Sequence, residues 1–191
     1  MDPTLFIWLL IPAVLIISFI IINNGIIRRK NMVVRAWSDV ITYERQKNKT
    51  LPELERVAGQ YQEHEAKLLE EITALRSTLS LANTSDVDTS QLAQIEARTQ
   101  SMLGSFNIAM EAYPNLEMAG VTKGLMKEIS ELQDNISAAI SIFNGNVEAF
   151  NSGIQIFPNN LVNGMGAKQT PYKPFTNTEA AESIGFTLEQ E

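Results

Sequence analysis

Between Leu5 and Ile22 the chain reads LFIWLLIPAVLIISFIII, without a charge and with Ser18 as its one clearly polar side chain. About 18 residues rising 1.5 Å each span roughly 27 Å, close to the hydrocarbon thickness of a bilayer. Such a run leaves two choices, a membrane-crossing helix or a secretory leader. A leader needs a positive residue before the apolar run, a shorter core and a small-x-small cleavage site. Here no positive residue precedes the run, and Asn23, Asn24 and Gly25 follow it. The run therefore reads as an uncleaved anchor, residues 5–27, preceded by a short extracytoplasmic end, 1–4. Leu5, Trp8, Pro12, Phe19 and Ile22 mark its length. Trp8 and Phe6 lie near the outer end, where aromatic rings favour the headgroup layer. Pro12 sits mid-span, which membrane helices tolerate at the cost of at most a kink.

The flanks set the orientation. Asp2 is the only charge before the run; Arg28, Arg29, Lys30 and Arg35 follow it. Positive residues stay on the cytoplasmic side, so the N-terminus is expected outside and the rest of the chain in the cytoplasm. The same four cations can rest on anionic headgroups.

Beyond the anchor, apolar residues recur at steps of three and four. One stripe is Leu54, Ala58, Tyr61, Glu65, Leu68, Ile72, Leu75, Leu79, Ala82. A second is Leu92, Ile95, Thr99, Met102, Phe106, Ala109, Tyr113. A third is Leu125, Ile129, Leu132, Ile136, Ala139, Phe143, Asn146, Phe150, Gly153, Phe157. This spacing keeps one helix face on its neighbours over many turns. It predicts an all-α chain: an N-terminal transmembrane helix, then a long antiparallel three-helix bundle over 28–162, with helices near 30–82, 88–113 and 121–157, and an irregular tail, 163–191. Val33, Val34, Trp37, Val40 and Ile41 carry the first helix back toward the anchor. At Thr50-Leu51-Pro52-Glu53 this helix either restarts, with Thr50 and Glu53 as a capping box, or kinks. The lack of loop-forming residues before Thr50 favours the kink. The polar segment 82–89 and the Tyr113-Pro114-Asn115 and Phe157-Pro158 segments supply the connections. In the tail, Tyr172, Phe175 and Phe186 either dock on the bundle or await a partner; docking is favoured.

Little points to chemistry. The net charge of −7 disfavours nucleic acid, and without cysteine there is no disulfide, thiolate or zinc-thiolate site. His64 is the single histidine, and position 68 is leucine, so the helical zinc pair fails. Glu63, Glu65, Glu70 and Glu71 read as a solvated face rather than a cation site. Gly120-x-x-x-Gly124 falls in a turn region, not in a membrane span, and the Asn-x-Ser/Thr triplets at Asn48, Asn83 and Asn135 are chance matches in a cytoplasmic domain. Glu65, Thr99 and Asn146 are polar positions on the core stripes, which cost stability but can fix register. No cofactor, metal site or catalytic residue is expected.

Several segments together resemble the LemA family of bacterial inner-membrane proteins. Lys30-Asn31, Val33 and Ala36-Trp37-Ser38-Asp39-Val40 resemble its opening after the anchor. Leu51-Pro52-Glu53-Leu54, Gly59-x-Tyr61, His64-Glu65 and Leu75-Arg76 follow in its order. Glu111-Ala112-Tyr113-Pro114-Asn115-Leu116 is similar to its hallmark before the last long helix. Leu132-Gln133 and Phe157-Pro158-Asn159-Asn160-Leu161 complete the pattern. Arg45-Gln46-Lys47 replaces the family's paired arginine, and Phe143-Asn144 its Tyr-Asn. The resemblance implies one N-terminal span with a helical domain at the inner membrane, and an association with membrane proteases and stress. It implies little chemistry.

Three functions are open: a self-associating membrane scaffold, an adaptor for another membrane protein such as a protease, and an enzyme. The lack of an assembled nucleophile, base or metal site weighs against the enzyme. The third helix carries a second apolar row, Ile140, Val147 and Ile154, which a thin three-helix bundle has little room to bury. That row is expected to be a subunit contact. The expected partners are the lipid membrane and further copies of the chain, with another membrane protein as the alternative.

Overall fold

The computed structural model of the chain describes residues 3–61, 64–113 and 119–176, with side chains from residue 8 onward. The Leu5 and Phe6 side chains, Glu63, Pro114, Asn115, Leu116 and Phe186 lie outside the described residues. All regular structure among the described residues is helical.

Helix α1, Pro3–Gln46, runs unbroken through Pro12. Its halves differ in kind. Residues 8–18 are exposed along their length, all apolar but Ser18. From Ile26 onward the helix turns a face into the core: Ile26, Val33, Trp37, Val40 and Ile41 are buried. A single 3₁₀ turn, Lys47–Lys49, then leads into α2, Leu51–Ala58. Gln46 and Thr50 both keep right-handed helical angles, and the Thr50 side chain caps nothing. This is a kink in one rod, with Pro52 in the first turn of α2, where its missing N–H costs little.

In place of one leg over 30–82 there are two. At Gly59 the helix ends in successive tight turns, Gln60 N–H to Val57 C=O, Tyr61 to Ala58 and His64 to Tyr61. Helix α3, Glu65–Leu81, then runs back along α2 and α1. Arg76 reaches Glu55 at 2.8 Å, and the Trp37 indole N–H donates to the Asn83 carbonyl at 2.9 Å. The apolar period passes through the reversal without a slip, because Leu54, Tyr61, Leu68, Leu75 and Ala82 are all buried. Helix α4, Thr89–Ala112, turns outward again. Asp88 caps it by accepting from the Ser90 and Gln91 amides at 3.0 and 3.1 Å.

Helix α5, Ala119–Gln155, returns along the whole α1–α2 rod. Tyr61 and Thr122 share a hydrogen bond at 2.9 Å, the Trp37 and Phe143 rings lie 5.4 Å apart, and the Arg29 side chain crosses Gly153. These contacts pair rising numbers on one rod with falling numbers on the other. The result is an antiparallel bundle around one continuous core.

The row Ile140, Val147 and Ile154, expected as a subunit contact, faces inward instead. Val147 and Ile154 are buried in the chain's own core, and Ile140 packs half-buried against it. Phe157 and Asn146, expected inside, are exposed and half-buried. A straight helix drifts about 20° per heptad against a 3.5-residue repeat. Over a helix as long as α5 this moves the core stripe from positions 146 and 153 toward 147 and 154. Gly153 stays buried because Arg29 lies across it.

A short α6, Asn159–Val162, and a π turn, Asn163–Ala167, close the bundle, and an extended segment then lies along α5. Asn151 donates to the Tyr172 carbonyl and accepts from its amide, at 2.8 and 2.9 Å. Asn144 does the same to Phe175, at 2.8 Å in both directions. Seven helical residues rise about 10.5 Å and three extended ones about 10 Å, so two asparagines a heptad apart match two backbone positions three apart. Phe175 is buried and the Tyr172 ring lies 5.4 Å from Phe150. These aromatics dock.

Replacing both Asn144 and Asn151 by alanine should release this segment. Chymotrypsin should then cut after Tyr172 and Phe175 many times faster, while the helical circular dichroism stays unchanged. Each lost pair of hydrogen bonds is worth about 1–2 kcal/mol. Unchanged cleavage would mean that the aromatic rings hold the segment without the asparagines.

Candidate functional site

The centre of the bundle holds a polar cluster. The α1–α2 stripe Val33, Trp37, Val40, Glu44, Lys47, Leu51 steps by three and four, so helical geometry carries Glu44 and Lys47 inward with their apolar neighbours. Both side chains are fully buried. Lys47 Nζ lies 2.8 Å from Glu44 Oε2 and donates to Thr99 Oγ1 on α4 at 3.1 Å. Thr99 donates in turn to the Ile95 carbonyl. Glu96, also buried, faces Glu44 and accepts from the Gln133 amide on α5. The cluster thus ties α1, α4 and α5 at one level.

Burial pushes the Glu44 carboxyl up to about 8; the Lys47 amine pulls it down and the Glu96 carboxyl pushes it up again. Near neutral pH Glu44 therefore keeps its proton. No substrate reaches groups this deeply covered. What the cluster supplies is register: sliding α4 by a turn would leave Lys47 facing Ile95 or Met102. Buried ionisable groups often cost stability relative to an apolar core, while removing one partner of a pair is expensive.

Sequence reasoning found one member, Thr99. Glu44 and Lys47 continue the stripe that joins Trp37 to Leu54, and that continuation was the available signal. Glu96 and Gln133 lie beside their stripes and carried none. The other polar candidates separate: Glu65 is exposed, and Asn146 turns back to its own Ile142 carbonyl. The His64 ring sits 6.1 Å from Tyr113, edge-on, and Tyr113 sits 6.3 Å from Tyr61, so these aromatics close the far end of the bundle. Among the described residues, no group of three acidic or histidine side chains is placed to hold a metal ion.

The remaining expected residues divide by position. Trp8 is exposed on the bare half of α1, while Phe19 and Ile22 are partly covered. Arg28 and Arg35 are exposed, Lys30 is half-buried, and Arg29 lies on α5. Trp37 is core; Pro52, Phe157 and Pro158 are on the surface. A surface groove lies between α1 and α5. Ala36, Asp39 and Tyr43 of α1 face Asn135, Ala138 and Ile142 of α5, and Ile142 is 63% exposed.

The model of the LemA family matches residues 36–186. A curated relative, Protein LemA of Metamycoplasma hominis, is 29% identical over 140 residues, covering 73% of this chain and 63% of the relative. The match thus spans under two thirds of that relative's length. No solved structure matches the chain.

The raised pKa of Glu44 makes stability depend on pH. At pH 4 and below, the carboxyl is protonated whether folded or not. Between about 4.5 and 8 the unfolded chain loses this proton and the folded chain keeps it, so stability falls as pH rises, at about 1.4 kcal/mol per unit of separation. Glu44→Gln keeps the shape and removes the titration. The variant should match the parent at pH 4.5 and exceed it at pH 8 by on the order of 1–4 kcal/mol, measured by urea unfolding. Parallel pH profiles for the two chains would refute the assignment.

Proposed function

The chain belongs to the LemA family, and we propose that it acts as a membrane-anchored structural and interaction protein, not an enzyme: a self-associating helical scaffold at the inner membrane of a bacterium. It is a membrane-associated protein with an N-terminal helix long and apolar enough to cross a bilayer. In the proposal that helix crosses once, with its N-terminus outside. The cations Arg28, Arg29, Lys30 and Arg35 support this orientation. The continuity of α1 supports an anchor that stays on the protein, since no break separates its apolar half from the half that builds the core.

The observation that carries self-association is the uncovered groove between α1 and α5. Small residues, Ala36 and Ala138, leave room beside the exposed Ile142 and the Tyr43 ring. Every copy in one bilayer stands the same way up. Two grooves therefore meet at equal height about an axis along the membrane normal, which is the condition for a closed symmetric contact. This face replaces the buried row of Ile140, Val147 and Ile154 as the proposed subunit contact.

The alternative is an adaptor or regulator docking on another membrane protein, such as a protease. The family resemblance supports this reading, and the same groove would then take a helix of a different protein. Particle mass in mild detergent separates the two. The scaffold reading expects regular multimers from the full chain, reduced to single copies by Ile142→Glu with no change in melting temperature, because the residue is exposed. A parent chain that is already monomeric would turn the proposal to the adaptor.

A further inference from the structure

The end of the bundle nearest the apolar half of α1 has an unusual surface. Residues 149–167 carry no charge at all. Within them Ile156, Phe157, Leu161 and Met165 are 54%, 77%, 57% and 76% exposed. Four large apolar side chains exposed within about ten residues is the density of an interaction surface, not of a water-facing loop. Three asparagine side chains of the same segment are tied to the chain's own backbone. Asn159 donates to the Gly153 carbonyl, Asn160 accepts from the Leu161 amide, and Asn163 both donates to and accepts from the backbone of Gln169. Polar groups satisfied by the chain's own backbone and apolar groups turned outward suit an environment poorer in water than the cytoplasm.

Its position says which environment. Gly166 packs directly on α1, where a Cβ would stand 2.9 Å from the Phe19 ring and 2.8 Å from the Asn23 side-chain oxygen. Phe19 lies inside the apolar run, about 5 Å short of its end at Ile22 along the helix axis. A segment touching Phe19 sits at the depth of Phe19. Where α1 crosses a bilayer, Met165 and Gly166 must reach the boundary of headgroups and acyl chains, the depth of about 5–10 Å to which interfacial helices insert. Arg29, some 15 Å further along α1, lies across Gly153 at the level where the bundle leaves the surface.

We infer that residues 156–165 form a second membrane contact, an apolar foot inserted into the leaflet beside the anchor, with lipid as its ligand. This rests on the reading of the apolar half of α1 as a membrane span. The foot is built from α6 and the π turn and is held to α1 through Gly166. Two points of attachment remove the swivel that a single helix would leave. The bundle is thereby fixed at one height and tilt, which is what equal-height contact between copies requires.

The chain has no cysteine, so a single nitroxide can be placed at will. Met165→Cys, Ile16→Cys and, on the exposed face of α4, Ile108→Cys, each in the full chain, would be labelled and reconstituted in phosphatidylethanolamine–phosphatidylglycerol vesicles. Collision of the label with oxygen, which concentrates in lipid, would be compared with collision with a polar nickel chelate. The foot expects the label at 165 to resemble that at 16, open to oxygen and at least several-fold less accessible to nickel than the label at 108. A nickel-accessible label at 165 beside a shielded label at 16 overturns the foot and leaves the span standing. Accessible labels at both overturn both. A label at 165 shielded from oxygen as well as nickel would mean that protein, not lipid, covers the segment, and would also overturn the proposal.

Discussion

The antiparallel seating of the α1–α2 rod on α5 organises everything else in this chain. It runs from Arg29 on Gly153, through Trp37 on Phe143, to the hydrogen bond between Tyr61 and Thr122. One partner in this pair is also the proposed anchor. The core therefore begins where the apolar half of α1 ends, and no flexible linker intervenes. Helices α3 and α4 form a hairpin laid against this pair. Their placement is fixed by contacts back to it, the Trp37 indole on Asn83 at one level and the Lys47 amine on Thr99 at another.

The polar cluster around Glu44 shows how specificity is set inside a bundle whose apolar stripes are otherwise interchangeable. Leucine and isoleucine faces slide with little penalty, whereas a buried amine that must meet one hydroxyl does not. Holding Glu44 neutral limits the electrostatic cost, because a second carboxylate facing Glu96 would add repulsion. The cluster lies at the kink between α1 and α2, and the buried Thr50 hydroxyl and Asn48 side-chain oxygen nearby have no hydrogen-bond partner. This is the most polar stretch of the core, and it sits where the rod is least regular.

Asparagine has a distinct role at the C-terminal end. Asn144, Asn151 and Asn163 each bracket one residue's amide and carbonyl. A carboxamide offers a donor and an acceptor side by side, matching an extended backbone as a neighbouring strand would. An irregular segment is thus ordered without a sheet. The same economy of polar groups leaves the apolar residues of 156–165 facing outward beside the apolar half of α1.

The sequence by itself determined the helical class, the apolar N-terminal helix and most of the buried positions, because burial on a helix is a matter of period and the period is written in the chain. Leu68, Ile72, Leu75 and Leu79 needed nothing more. It also placed Tyr172 and Phe175 on the bundle, since rings of that size are rarely left in water. Tertiary structure decided the rest. The reversal at Gly59 kept the apolar period intact, so periodicity could not reveal it. The drift of α5 moved Val147 and Ile154 from a supposed outer row into the core, and only the direction of the partner rod fixes how far a long helix turns against it. The meeting of Glu44 with Glu96, and of Gly166 with Phe19, joins residues distant in the chain. Local sequence sets which face of a helix is apolar; which face of another helix it meets depends on the packing of all of them at once.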